Sequence, residues 1–239
     1  MIDIPSQSHF ECVLAIDKVD STEKFKYRPV NSFNPVAVKQ KAFELMNQLT
    51  GWCAYSKGAL IMDLIIKHKP QTIVEIGVWG GKSLVPMAYV LRELGRGKVY
   101  GIDPWDKDES LQWVVDESNR KYWGWADHNA ILYELLEKIE RFELSDQIEL
   151  IRATSEDAPL IYDIDMLHID GNHSEETSFI DVTKWVPLVK SGGWIFFDDL
   201  HWYENGKYTT AKAVAWLNAN CIKIAELTDQ ADWGIWVKP

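Results

Sequence analysis

The chain has 239 residues, 46% of them hydrophobic, with 36 acids against 25 bases and a net charge of −11. That length and apolar content suit one large domain with a sizeable core, and the acidic balance disfavours a nucleic-acid backbone as partner. Cys12, Cys53 and Cys221 lie far apart and outside any CxxC, which argues against a zinc cluster and for a reducing compartment. No apolar leader is read near Asp3, Glu11 and Asp17, and the apolar stretch 59–66 contains Asp63 and is too short to span a bilayer. A soluble cytoplasmic protein with no membrane partner is expected. Twelve tryptophans point to aromatic pocket walls or an interface.

Residues 1–34 read as irregular, with Pro5 and Pro29 among scattered charges. Pro35 opens a helix to about Leu49, and 56–69 reads as a second helix closed by Pro70. A regular alternation follows: strand 72–76, helix 83–94, strand 98–102, helix 126–142, strand 148–152, a short helix near 156–161 and strand 164–169. Helix 174–190 then ends at Ser191-Gly192-Gly193, before strand 194–197 and helix 209–219. Strands 222–227 and 233–237 close the chain as a hairpin. Strands separated by helices imply parallel βαβ units. The expected fold is therefore a doubly wound, Rossmann-like α/β sheet of seven strands, mostly parallel, with one antiparallel strand in the closing hairpin. Residues 105–125 break the alternation and hold Trp105, Trp113, Tyr122, Trp123 and Trp125. An insert at this edge reads equally as a lid or as a packed surface helix.

Residues 72–83 carry the strongest signal. Thr72-Ile73-Val74 leads to Glu75, then to a turn rich in glycine (Gly77, Gly80, Gly81), then to a helix. Strand, glycine turn and helix form the nucleotide-binding corner of such a sheet. The spacing is neither GxGxxG nor that of a P-loop, and a carboxylate at Glu75 would repel phosphate. S-adenosylmethionine fits better: it offers a sulfonium, an ammonium and ribose hydroxyls, and no phosphate.

Ligands of this fold sit beyond the carboxyl ends of the strands. There the sequence places Glu75, Asp103, Asp170, Asp198 and Asp199, each closing an apolar run. Asp103, about 22 residues past the glycine turn, suits ribose hydroxyls; it also reads as a turn residue before Pro104. Ser155 and Glu156 can reach an adenine edge or serve as an ordinary helix start. Asp170, Asp198 and Asp199 fall on adjacent strands with no base near them in sequence. Their mutual repulsion would be relieved by Mg²⁺, which prefers oxygen ligands; the competing reading is capping. His173 and His201 lie close enough in sequence to accept a substrate proton, or are surface turn residues.

The segments 75–83 (Glu-Ile-Gly-Val-Trp-Gly-Gly-Lys-Ser), 100–105 (Tyr-Gly-Ile-Asp-Pro-Trp), 169–174 (Ile-Asp-Gly-Asn-His-Ser) and 192–199 (Gly-Gly-Trp-Ile-Phe-Phe-Asp-Asp) resemble class I S-adenosylmethionine-dependent methyltransferases. They look most like the metal-dependent small-molecule O-methyltransferases, and Gly77-Val-Trp-x-Gly-x-Ser83 with Asp198-Asp-Leu-His-Trp202 is similar to the macrocin O-methyltransferase branch, which methylates sugars of natural products. The resemblance covers 56–239 and leaves 1–55 as a separate segment that caps the site or mediates a homodimer.

By that resemblance Glu75, Gly77, Trp79 and Ser83 line the methionine end of the cofactor. Asp103 and Asp170 also contact the cofactor, with Ser155 and Glu156 on the adenine side. Asp170, Asp198 and Asp199 hold Mg²⁺. The catechol branch has an Asn as the second acid of the final pair and a Lys as base three residues past the first metal Asp. Here Asp199 and His173 occupy those places, so Asp170, His173 and His201 all stand as candidate bases. The implied reaction is O-methylation of a small-molecule hydroxyl, in a vicinal diol, catechol or sugar. The rivals are a metal-free methyltransferase, a nicotinamide-dependent oxidoreductase and a cofactor-binding protein without turnover.

Overall fold

The computed structural model describes residues 33–114, 116–227 and 232–239. The expectations for residues 1–32, Cys12 included, lie outside the described residues. Helix α1 (Pro35–Met46) starts on proline, whose missing N–H costs nothing there, and Asn34 Oδ1 accepts from Val36 N at 3.1 Å. Helix α2 (Tyr55–His68) ends at Lys69 in the left-handed region, just before Pro70. Then come β1 (Thr72–Ile76), α3 (Leu84–Glu93) and β2 (Lys98–Asp103). Short helices α4 (Lys107–Leu111) and α5 (Glu117–Trp125) each start on an aspartate cap, Asp106 and Asp116. After them run α6 (His128–Arg141), β3 (Ile148–Arg152), β4 (Ile164–Ile169) and α7 (Glu175–Trp185). The chain closes with β5 (Val189–Asp198), β6 (Tyr203–Glu204), β7 (Lys207–Tyr208), α8 (Ala211–Asn220), β8 (Ile222–Leu227) and β9 (Trp233–Val237).

The main sheet has seven strands in the order β3-β2-β1-β4-β5-β9-β8. The first five are parallel, and β9 runs antiparallel to both β5 and β8. Strand order reverses between β1 and β4, which creates the crevice where ligands of doubly wound sheets bind. One apolar layer joins α1, α2, α3 and α6 to one face of the sheet through Ala42, Leu45, Ile61, Ile65, Val85 and Leu135. A second layer joins α7 and α8 to the other face through Val182, Trp185, Ala213 and Leu217. Because α1 shares the first layer, residues 35–46 belong to the same core as 56–239, and no separate core begins at residue 56. No helix among the described residues is long and apolar enough to cross a membrane.

Three local expectations change. The helix near 156–161 is a single turn, Ala158 N to Thr154 O at 2.9 Å, because Pro159 has no N–H to extend it. Helix 174–190 stops as α-helix at Trp185 and tightens into a 3₁₀ turn over Val186–Leu188 at Pro187. The Ser191-Gly192-Gly193 stretch lies inside β5, where Gly192 at φ 79° sits in an irregularity of the β4–β5 register. An additional hairpin, β6–β7, turns on Asn205 and Gly206 with φ 48° and 84°. Asn-Gly is the strongest short hairpin signal in a sequence.

Candidate functional site

The glycine turn is fixed from three sides. Gly77 has φ 84°, and a Cβ there would overlap the carbonyl oxygen of Asp170. Only glycine permits that approach of the turn to the end of β4. Asp103, at the end of β2, accepts through Oδ2 from Val78 N (3.0 Å) and Trp79 N (2.9 Å), and through Oδ1 from Trp105 N (2.7 Å). Burial raises its pKa, partly opposed by those three backbone bonds. Asp103 thus shapes the turn before Pro104, as a turn residue would. Its remaining lone pairs stay available to hydroxyls. Trp79 holds φ 50°, unusual for a bulky residue, and its ring meets Trp123 at 5.0 Å and His128 at 5.3 Å.

Beneath the turn lies a buried row of charge. Glu75 is 0% exposed; its Oε1 accepts from the Ser83 hydroxyl and from His168 Nδ1 at 3.0 Å. Its Oε2 is buried with no partner among the described residues. His168 Nε2 reaches Asp198 Oδ1 at 3.3 Å. The other Asp198 oxygen is held by the ammonium of Lys57, which also stands 3.6 Å from Asp170 Oδ2. Lys57 is 1% exposed and sits in the first turn of α2, where the helix dipole disfavours a cation by roughly 0.3–1 kcal/mol. Burial costs several kcal/mol more. The opposing charge comes from Asp198, in direct contact with the ammonium, and from Asp170 at 3.6 Å.

The protonation states follow. Burial works against the Lys57 ammonium, but Asp198 and Asp170 outweigh it and raise its pKa. Burial and Lys57 would lower His168; Asp198 and Glu75 overcome them and lift it to about 9. Burial alone would raise Asp198, yet Lys57 and His168 hold it well below the usual carboxylate range. Asp170 is pushed up to about 7, first by burial and then by the charge on Asp198, against Lys57 and both histidines.

A second, half-exposed group lies outward of this row. His173 Nε2 pairs with Asp199 Oδ2 at 3.0 Å, and its ring packs 4.7 Å from that of Trp202. Burial lowers the His173 pKa, but the Asp199 hydrogen bond and the charges on Asp199, Asp170 and Asp198 raise it overall. Asp170, His173 and Asp199 each bring a ligand atom within 4.8 Å of the others, as do His168, Asp170 and Asp198.

Several expectations are redrawn by this geometry. Asp170, Asp198 and Asp199 do not form one cluster: Asp198 has both oxygens committed to Lys57 and His168. The repulsion that called for Mg²⁺ is already met by an ammonium from α2, so the three-acid set does not fit a metal as it stands. His201 is not beside Asp170. It is 57% exposed, and Asp232 Oδ2 accepts from its N at 2.8 Å and contacts its Nδ1 at 2.5 Å. Glu75 and Ser83 face each other inside the protein and support the turn from below. The Ser155 hydroxyl donates to the buried Asp181, whose carboxyl burial pushes up to about 7. Ser155 therefore faces α7, and the exposed Glu156 gives its carbonyl to Lys184 at 2.5 Å.

Lys57, His168 and Asp181 went unread in the sequence. His168 interrupts the apolar run Met166-Leu167-His168-Ile169, and Lys57 is a cation at a helix start; both are legible irregularities.

The Trp-rich insert lies over the turn. Tyr122 and Trp123 of α5 meet Trp52 at 5.5 and 6.3 Å, and Asn119 Nδ2 donates to Glu204 Oε1 at 2.9 Å. Between α5 and the end of β5 is a cavity of about 330 Å³ lined by Asp116, Asn119, Asp199, His201, Trp202 and Asp232.

A five-stranded parallel run that switches direction at the glycine turn, closed by an antiparallel β9, is the class I methyltransferase fold. Residues 74–200 match the family described as "Methyltransferase domain", and the chain belongs to that family. Among solved structures, it is similar to a putative O-methyltransferase from Klebsiella pneumoniae (15% identity, TM-score 0.59, 84% of this chain and 90% of that one). It is similar also to the O-methyltransferase from Bacillus cereus in complex with S-adenosylhomocysteine (15%, 0.58, 84% and 91%). A third is the O-methyltransferase TomG from Streptomyces achromogenes in complex with S-adenosylmethionine (13%, 0.54, 84% and 89%). At these identities the likeness speaks for the fold.

Proposed function

We propose that this chain transfers a methyl group from S-adenosylmethionine to a hydroxyl of a small molecule, a sugar or natural product with a vicinal diol or catechol. The observation that carries this reading is His173, held by Asp199 beside Asp170, whose backbone abuts the glycine turn at Gly77. The cofactors bound to the Bacillus cereus and Streptomyces achromogenes proteins support the choice of methyl donor. Gly77, Trp79, Asp103 and Asp170 form the cofactor wall, with Glu75, Ser83 and the Asp181-bound Ser155 behind it and the exposed Glu156 toward the adenine.

His173 donates from Nε2 to Asp199, which leaves Nδ1 as the basic nitrogen. The acceptor hydroxyl gives its proton to Nδ1, with Asp170 as a second acceptor. The oxygen then attacks the methyl carbon, the carbon–sulfur bond breaks, and the sulfonium becomes a neutral thioether. Charge is lost at sulfur as the bond breaks, so alignment of the two reactants supplies most of the acceleration.

A second reading keeps the divalent ion, Mg²⁺, on the outer set Asp170, His173 and Asp199, which offers two carboxylates and one imidazole. Such an ion, when bound, would supply Lewis acidity to the acceptor oxygen. Calorimetry with S-adenosylhomocysteine against NAD tests the class, with binding of the first alone expected. Methyl transfer to catechols and methyl glycosides, with and without excess EDTA, separates the two readings. Full activity in EDTA supports the His173 route, and loss restored by Mg²⁺ supports the ion.

A further inference from the structure

Lys57 is the most buried lysine of the described chain, and neither the motifs nor the reaction outlined above employs it. It enters from α2, outside the family-matched segment 74–200, and meets the ends of two neighbouring central strands. Its ammonium contacts Asp198 on β5 and stands 3.6 Å from Asp170 after β4. On its far side Asp198 is bound by His168, and His168 by Glu75, so the acids beneath the turn are compensated from within the chain. A carboxylate with an ammonium on one oxygen and an imidazole nitrogen on the other has little capacity left for a further cation. Asp199, one residue on, is free of both and faces His173 instead.

We propose that Lys57 is the resident cation of the Asp170–Asp198 pair and a positioning residue for the outer group. It fixes Asp170 where Asp170 can work with His173 and Asp199, and it reserves Asp198 from exchangeable metal. This rests on the methyltransferase reading of the site, and it assigns the inner cation to the protein itself. The ammonium and a divalent ion are competitors for the same two carboxylates. Removing the ammonium opens the inner pair to metal, whereas arginine, with its permanent charge, keeps the pair closed.

The test is Mn²⁺ binding to the full-length protein, followed by the electron paramagnetic resonance of free Mn²⁺, with S-adenosylhomocysteine affinity measured in parallel. Lys57→Met is expected to bind Mn²⁺ at least tenfold more tightly than the wild type, while Lys57→Arg stays within threefold of it. Asp198→Asn in the wild-type background is expected to change Mn²⁺ affinity by less than threefold, and this measurement stands even if Lys57→Met does not fold. The proposal is overturned if Lys57→Met leaves Mn²⁺ affinity unchanged or weaker. It is equally overturned if Asp198→Asn abolishes Mn²⁺ binding, which would make Asp198 a metal ligand. Retained S-adenosylhomocysteine affinity in any of these outcomes leaves the methyltransferase reading intact; its absence in the wild type would sink that reading independently.

Discussion

Two neighbouring groups of the same residue types behave differently. The inner row Glu75–His168–Asp198–Lys57 is sealed from solvent, and nearly every charge in it meets an opposite one. The outer group Asp170–His173–Asp199 is half-exposed and carries more acid than base. Burial decides the division of labour. Charges inside must be neutralised by the chain, and so hold the strands in place. Those at the rim keep unsatisfied capacity and can act on a ligand.

If that division is right, substitutions should separate cleanly. The largest effect is expected at the rim: His173→Ala should lower kcat by about 10²–10⁴-fold while leaving S-adenosylhomocysteine affinity within a few-fold, read from steady-state rates and calorimetry. A loss of cofactor affinity with kcat intact would move His173 from acceptor to cofactor wall.

Inside, the effect should be on stability. His168→Gln leaves two buried acids without their shared cation and should cost about 3–5 kcal/mol in urea unfolding. The pH dependence gives the sign. His168 is raised from 6.5 to about 9 in the folded protein, so its contribution is fully present below pH 6.5 and is lost as pH rises through about 9. That window is worth about 3 kcal/mol in the wild type, and His168→Gln should flatten it. An unchanged slope in the variant would show that His168 is neutral inside.

The smallest effect is expected at His201→Ala, whose ring is paired with Asp232 away from Asp170. Turnover should change by less than about threefold. A loss comparable to that of His173→Ala would bring His201 back as a base and break the comparison.

The sheet was legible because short apolar runs, separated by helical segments and by glycine or proline breaks, recur along the chain. β1, β3 and β4 match their expected bounds residue for residue. The rim was legible for a related reason: acids at strand ends are unusual enough to stand out. What was hidden is partnership across the chain. Asp198 looked like one of three acids awaiting a metal because its counter-ion comes from residue 57, well over a hundred positions away. His201 looked like a candidate base because it lies two residues past Asp199. Asp199, however, takes φ 55°, and the chain turns His201 toward Asp232. Distance along the chain measures neither charge compensation nor side-chain direction.

The overlap that any side chain at Gly77 would make with the Asp170 carbonyl has a consequence for tailoring this enzyme. By the function proposed above, the turn 77–81 seats the donor and the loop after β4 faces the acceptor, and the two share a wall with no room for one more carbon. Neither can be lengthened, swapped or evolved for a new ligand without carrying the other along. Libraries aimed at acceptor choice are therefore better spent on α5 and the β6–β7 hairpin, which flank the cavity and leave that wall untouched.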